Sequence, residues 1–126
     1  MLQNSRMFSG FSVDDIVAAQ NFYGNVLGLQ VSAANGMLEL RTPGDRNTLV
    51  YPKPNHIPAE YTVLNFPVPD IDATIDALAA KGVPMIRYEK MPQDDKGVMR
   101  GRAAGAGPDI AWFTDPAGNV LSVLQD

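Results

Sequence analysis

Phe11-Ser12-Val13-Asp14-Asp15-Ile16 returns 55 residues later as Phe66-Pro67-Val68-Pro69-Asp70-Ile71, and each copy runs on through a helix-like stretch to Gly28-Leu29 or Gly82-Val83. Two copies of about fifty residues are too few for a stacked array, so the chain is read as one domain, 1–126, built from two equivalent modules. Function is then expected to sit between the modules.

Composition supports that reading and removes several classes of function. With 126 residues, 45% of them hydrophobic and 19% charged, the chain suits one core and is too short for two comfortable domains. The net charge is −4, and Lys and Arg form no basic run, so nucleic acid is not an expected partner. The absence of Cys removes disulfides, thiolate nucleophiles and thiolate metal sites, and suits a reducing compartment. Met1 to Arg6 carry no apolar run, and no window approaches the ~18 consecutive apolar residues of a spanning helix. A soluble, cytoplasmic protein with no membrane partner is expected.

Met7 to Val13 reads as a strand, and Asp14 or Asp15 can accept hydrogen bonds from the free amides of a following helix. Ile16, Ala19, Phe22, Tyr23, Val26 and Leu27 make its apolar stripe, with Gly28 where a left-handed cap is wanted. Leu29 to Ala33, Gly36 to Arg41 and Thr48 to Tyr51 are the next strands, divided by Asn35-Gly36 and Pro43-Gly44-Asp45. Module one, about 1–52, is therefore strand, helix, three strands. Residues 53–58 form a proline-rich linker that resists regular structure. Module two, about 59–126, repeats the order: strand Tyr61 to Val68, a helix capped by Asp70 and ended by Gly82, then strands Met85 to Tyr88, Ile110 to Thr114 and Val120 to Leu124. Glu89 to Asp109, with four glycines and no apolar period, reads as a long mobile loop able to act as a lid.

Val13-x-Asp15-Ile16, then Asn21-Phe22-Tyr23-x-x-Val26-Leu27-Gly28-Leu29, then Asp115-Pro116-x-Gly118-Asn119 before the final strand, together resemble the vicinal oxygen chelate superfamily of glyoxalases, bleomycin-resistance proteins and extradiol dioxygenases. The resemblance covers almost the whole chain. It implies an α+β fold of two tandem βαβββ modules forming a curved mixed sheet around a cavity, with modules paired within one chain or exchanged between two. It also implies that an enzyme of this kind would hold a divalent metal on the first and last strands of each module. Those positions fall at Phe8, Val50, Val63 and Ser122, none of which offers the imidazole or carboxylate such ions require. The only histidine, His56, lies in the linker with no nearby carboxylate except Glu60, which favours a hydrogen-bonding strut over a ligand. No metal and no other cofactor are therefore expected.

Other chemistry fails on similar grounds. The glycine-rich stretch from Gly101 to Gly107 has no Lys-Ser/Thr and leads into a strand, whereas a phosphate loop must open a helix. There is no Gly-x-Ser-x-Gly elbow. If the former ligand positions face inward, strand alternation adds Ser12, Thr48 and Asn65 to the lining, and leaves Phe11, Val13, Leu49, Leu64, Phe66, Leu121 and Val123 under the helices. Trp112 is assigned inward because the resemblance gives Phe113 to the core, and Arg100 and Arg102 are expected to reach over the cavity toward an anionic ligand. The expected ligand-binding set is thus Phe8, Ser12, Thr48, Val50, Val63, Asn65, Trp112, Ser122, Arg100 and Arg102. Its mixture of apolar surface and small neutral hydrogen-bonding groups suits a small organic molecule. The leading expectation is a metal-free, homodimeric binding protein; the alternative is a lyase, isomerase or dioxygenase of the same superfamily with an atypical or absent metal site.

Overall fold

Asp15 starts the first helix, its Oδ1 accepting from the amides of Val17 and Ala18 at 3.1 and 3.0 Å, in a computed structural model that describes residues 1–126. Helix α1, Ile16–Asn21, then widens into a single π-helical turn, Phe22–Val26, in which the Leu27 amide reaches back to the carbonyl of Phe22 at 2.9 Å. The wider turn lets two adjacent aromatics face the core together. Phe22 and Tyr23 are 7% and 0% exposed and meet edge to face at 5.2 Å, and Tyr23 also meets Phe11 at 5.9 Å. Helix α2, Ile71–Ala80, begins on Asp70, whose Oδ1 accepts from Ala73 at 3.0 Å. Gly28 and Gly82, at φ of 76° and 79°, reverse the chain after the two helices in the left-handed conformation that side chains resist.

The strands are β1 Ser9–Val13, β2 Gln30–Ala34, β3 Met37–Arg41, β4 Thr48–Pro52, β5 Thr62–Pro67, β6 Met99–Arg100, β7 Asp109–Thr114 and β8 Val120–Gln125. They form two four-stranded mixed sheets in the orders β1-β4-β3-β2 and β5-β8-β7-β6, each with one parallel pair, β1 with β4 and β5 with β8. This is the βαβββ module twice. Contacts divide the chain into two units, Met1–Ile57 and Pro58–Asp126, with the boundary inside the proline-rich segment. Phe11 pairs with Val50 as Phe66 pairs with Val123. The offset between equivalents grows from 55 at the phenylalanines to 73 at the valines, so the second unit has taken in 18 extra residues before its last two strands.

Those residues are more ordered than glycine content suggests. Met85 to Tyr88 does not form the expected strand: Ile86 gives one hydrogen bond to the Trp112 carbonyl at 2.7 Å, and the edge of the sheet is taken by the two residues of β6. The side chain of Gln93 replaces a partner strand there. Its Oε1 accepts from the Tyr88 amide at 2.7 Å, while its Nε2 donates to the carbonyls of Ile86 and Gly97 at 2.9 and 2.8 Å. Asp94 accepts from the amides of Lys96 and Val98 at 3.0 and 2.9 Å, Arg87 donates to the carbonyls of Asp94 and Asp95, and Val98 is fully buried. These contacts tie the part of the expected loop from Tyr88 to Val98. There side-chain to backbone hydrogen bonds take the place of an apolar period.

The turn between β7 and β8 is held by Asp115, which accepts from the amides of Ala117 and Asn119 and from the Asn119 side chain, all at 2.9 Å. Asp115 and Asn119 are 4% and 2% exposed. Asp115→Ala is expected to lower stability by about 2 kcal/mol, because buried donors lose their acceptor. Urea denaturation measures it, and Asp115→Asn should recover part of the loss.

Candidate functional site

In each unit the helix covers one sheet face; the opposite face is open at Gly10 and Tyr51 in the first unit and nearly closed over Trp112 and Ser122 in the second. In the first unit the covered face carries Phe11, Val13, Leu38, Leu40 and Val50, exposed by 9, 0, 2, 2 and 0%. The ladder decides which residues share it. Ser9 pairs with Thr48 and Phe11 with Val50, and directly paired residues point to the same side. Their hydroxyls confirm it, with Ser9 Oγ 3.1 Å from Thr48 Oγ1. Thr48 and Val50 therefore lie on the core side; the assignment of Val50 to the ligand face is corrected, while Thr48 also borders a cleft at the end of the sheet. Gly10 and Ser12 pair instead with Leu49 and Tyr51, so these two residues of β4 occupy the face opposite the helix. The pairing places the repeat equivalent of Ser122 at Leu49 and not at Val50, which exchanges the two faces of β4 relative to the expectation.

Ser12 Oγ stands 2.6 Å from His56 Nδ1, which ties β1 to the proline-rich segment. Phe8 precedes β1 and is 72% exposed. It lines a cleft of about 950 Å³ in the first unit, together with Arg6, Glu39, Arg46, Asn47 and Leu49.

In the second unit Asn65 pairs with Ser122, and Ser122 with Trp112, which puts all three on the face opposite Leu64, Leu121 and Phe113. Ser122 is fully buried and donates to Asn65 Oδ1 at 2.6 Å. Trp112 is 9% exposed, donates through Nε1 to Thr62 Oγ1 at 3.1 Å, and meets the ring of Tyr88 edge to face at 5.6 Å. Val63 is displaced from the alternation. The ladder steps from Thr62 opposite Val120 to Leu64 opposite Leu121, so a bulge leaves Val63 without a partner position and gives the place beside Trp112 to Thr62. No sequence signal marks that bulge.

The arginines are corrected as well. Arg100 pairs with Asp109 on the helix side of the sheet. Its guanidinium donates to both oxygens of Asp72 at 2.8 and 3.1 Å, to Asp94 at 2.8 Å and, more weakly, to Asp109 at 3.5 Å. Arg102 donates its amide to Asp109 at 3.1 Å, and its side chain approaches the same carboxylate at 3.9 Å. The Arg100 guanidinium is thus spent on holding the extra residues to α2 and β7, while Arg102 adds its backbone amide and one long side-chain contact to the same carboxylate. Hydrogen bonds from Arg100 and then Lys96 outweigh burial at Asp72 and hold its pKa at about 2. Burial acts to raise Asp94, but the Val98 amide and Arg100 outweigh it, so its pKa is also lowered.

The donor set does not fit a divalent metal. No three His, Cys, Asp or Glu side chains come together in a way that could hold one, and the places opposite the helices carry Gly10, Leu49, Asn65 and Ser122. No helix is long and apolar enough to cross a membrane.

The order β1-β4-β3-β2, repeated as β5-β8-β7-β6, agrees with a family model, described as Glyoxalase/Bleomycin resistance protein/Dioxygenase superfamily, that matches residues 7–123. The chain belongs to this superfamily. Solved glyoxalase-superfamily folds align over nearly all of it. An antibiotic binding protein, TnmS3, from Streptomyces sp. CB03234 is 23% identical with a TM-score of 0.66, covering 98% of each chain. A glyoxalase family protein from Enterococcus faecalis is 20% identical with a TM-score of 0.69, covering 98% of this chain and 99% of that one. The fosfomycin resistance protein FosX from Listeria monocytogenes is 12% identical with a TM-score of 0.69, covering 98% and 93%. At these identities the likeness establishes the glyoxalase fold. A comparison with curated proteins found no match.

Proposed function

We propose that this protein binds a small organic molecule by burial against the Trp112 face of its second sheet, without a metal. The observation that carries the reading is the chemistry of that face: an aromatic pair, Trp112 and Tyr88, beside the neutral polar groups of Thr62 and Asn65, the latter held by the buried Ser122 hydroxyl. Flat apolar surface supplies affinity, and a few polar groups fix orientation. The antibiotic binding and fosfomycin resistance proteins named above support a role in capturing or neutralising such a molecule. Homodimerisation belongs to the same proposal, since β1 and β5 are sheet edges and Ile57 and Tyr61 are exposed apolar side chains.

A second reading, an enzyme of the superfamily acting without metal, has one observation in its favour. The Ser12 and His56 pair, 2.6 Å apart, joins a hydroxyl to the only imidazole in the chain.

Trp112 is the only tryptophan, so its emission reports the proposed face directly. Titration with a panel of aromatic compounds should give saturable changes in that emission. Elemental analysis of protein purified without added metal should find no stoichiometric zinc, iron, nickel or manganese, and a chelator should leave the melting temperature unchanged. About one metal per chain, with stability lost on chelation, would refute the metal-free part.

A further inference from the structure

We infer that the first unit carries a binding position of its own, the cleft beside Phe8, and that it takes an organic anion with a flat or apolar body. This inference goes beyond the Trp112 face and depends on residues of the first unit alone. The cleft has about 950 Å³, at the upper end of the ~300–1,000 Å³ of small-molecule sites. Its apolar side comes from Phe8, 72% exposed, with Met7 and Leu49.

Its charge comes from Arg6 and Arg46, and neither guanidinium is engaged in an ion pair. That sets them apart from Arg100, whose donors are spent on Asp72, Asp94 and Asp109. The carboxylate of Glu39 is already occupied, with Arg41 at 3.4 Å and the Asn47 amide group at 2.8 Å. The lining itself holds two guanidiniums and two carboxylates, and with Arg41, which pairs with Glu39 from just outside it, the charges around the cleft sum to one positive in a chain whose overall charge is −4. The turn that presents Arg46 is tied by the Thr42 hydroxyl, which donates to the Arg46 carbonyl at 2.8 Å. A guanidinium offers paired donors matched to carboxylate, phosphonate or sulfonate, and an exposed phenyl ring gives the rest of such a ligand a surface to cover.

Two fluorescent probes of similar shape separate the charge from the body: anilinonaphthalene sulfonate, an anion, and phenylnaphthylamine, its uncharged counterpart. The full-length protein is expected to bind the sulfonate saturably, about tenfold more tightly than the amine, a difference of about 1.4 kcal/mol. The double variant Arg6→Gln, Arg46→Gln should abolish the preference while leaving the melting temperature unchanged, because both residues are exposed. Phe8→Ser should weaken both probes. Equal binding of the two probes, or a preference that survives in the double variant, overturns the anion assignment and leaves the Trp112 reading standing. Displacement of the sulfonate by inorganic phosphate at equal concentration overturns the requirement for an apolar body, and absence of saturable binding overturns the site.

Discussion

Arg100→Ala is expected to release the extra residues of the second unit from α2 and to cost about 2 kcal/mol. Removing one partner of a buried ion pair costs about 3–5 kcal/mol and of an exposed pair about 0–1. Arg100 lies between those limits, its side chain 34% exposed while that of Asp109 is 8% exposed. Arg100→Lys should recover only part of the loss, since an ammonium cannot span both oxygens of Asp72 and still reach Asp94. The same cluster predicts acid sensitivity. The folded-state pKa of Asp72, about 2, is below its ordinary value of 3.8, so its contribution is complete above pH 4 and is lost as pH falls from about 4 to about 2. Because the Asp72 side chain is 46% exposed, solvent screening reduces that contribution well below the value the shift alone would give. Urea midpoints at pH 7 and pH 3 should differ less in Arg100→Ala than in the parent. Hydrogen exchange should speed up at the amides of Lys96 and Val98, which Asp94 holds. Unchanged exchange there would show that Gln93 and Arg87 suffice and that the clasp is redundant.

Trp112→Ala is expected to have the larger effect on stability, about 3–5 kcal/mol, as for other buried aromatics cut to alanine. Tyr88 loses its edge-to-face partner at the same time. Trp112→Phe separates the two roles of the side chain. It keeps a ring against Tyr88 and removes the hydrogen bond to Thr62, which should cost about 1 kcal/mol. If the Trp112 face binds the ligand as proposed, the alanine variant loses binding and the phenylalanine variant weakens it. Denaturation by urea and equilibrium titration of each variant provide the comparison. Equal affinity in parent and alanine variant would remove Trp112 from the site.

Local interactions explain what was legible beforehand. Asp70, Gly28, Gly82 and the turn at Asp115 act within a few residues of their own position, so each announced its helix end or reversal without reference to the rest of the chain, and the first helix start was narrowed to Asp14 or Asp15. The duplicated motif, read through its family resemblance, was enough for two βαβββ modules. Residue type alone also sets the expectation of no metal, since Phe8, Val63 and Ser122 carry neither imidazole nor carboxylate.

Which side chains meet depended on registers that a single strand does not carry. A one-residue slip exchanges the two faces of a strand. The pairing of Phe11 with Val50 therefore moved Thr48 and Val50 into the core and brought Leu49 and Tyr51 to the other face, while a bulge at Val63 substituted Thr62. The fate of Arg100 was equally non-local, because the carboxylates that claim it lie 28, 6 and 9 residues away along the chain. The sequence by itself determined the modules and the helix caps, which rest on residue type and short-range hydrogen bonds. Only the tertiary structure decided the lining of each face and the work of the arginines, because long-range strand pairing and charge partners set them.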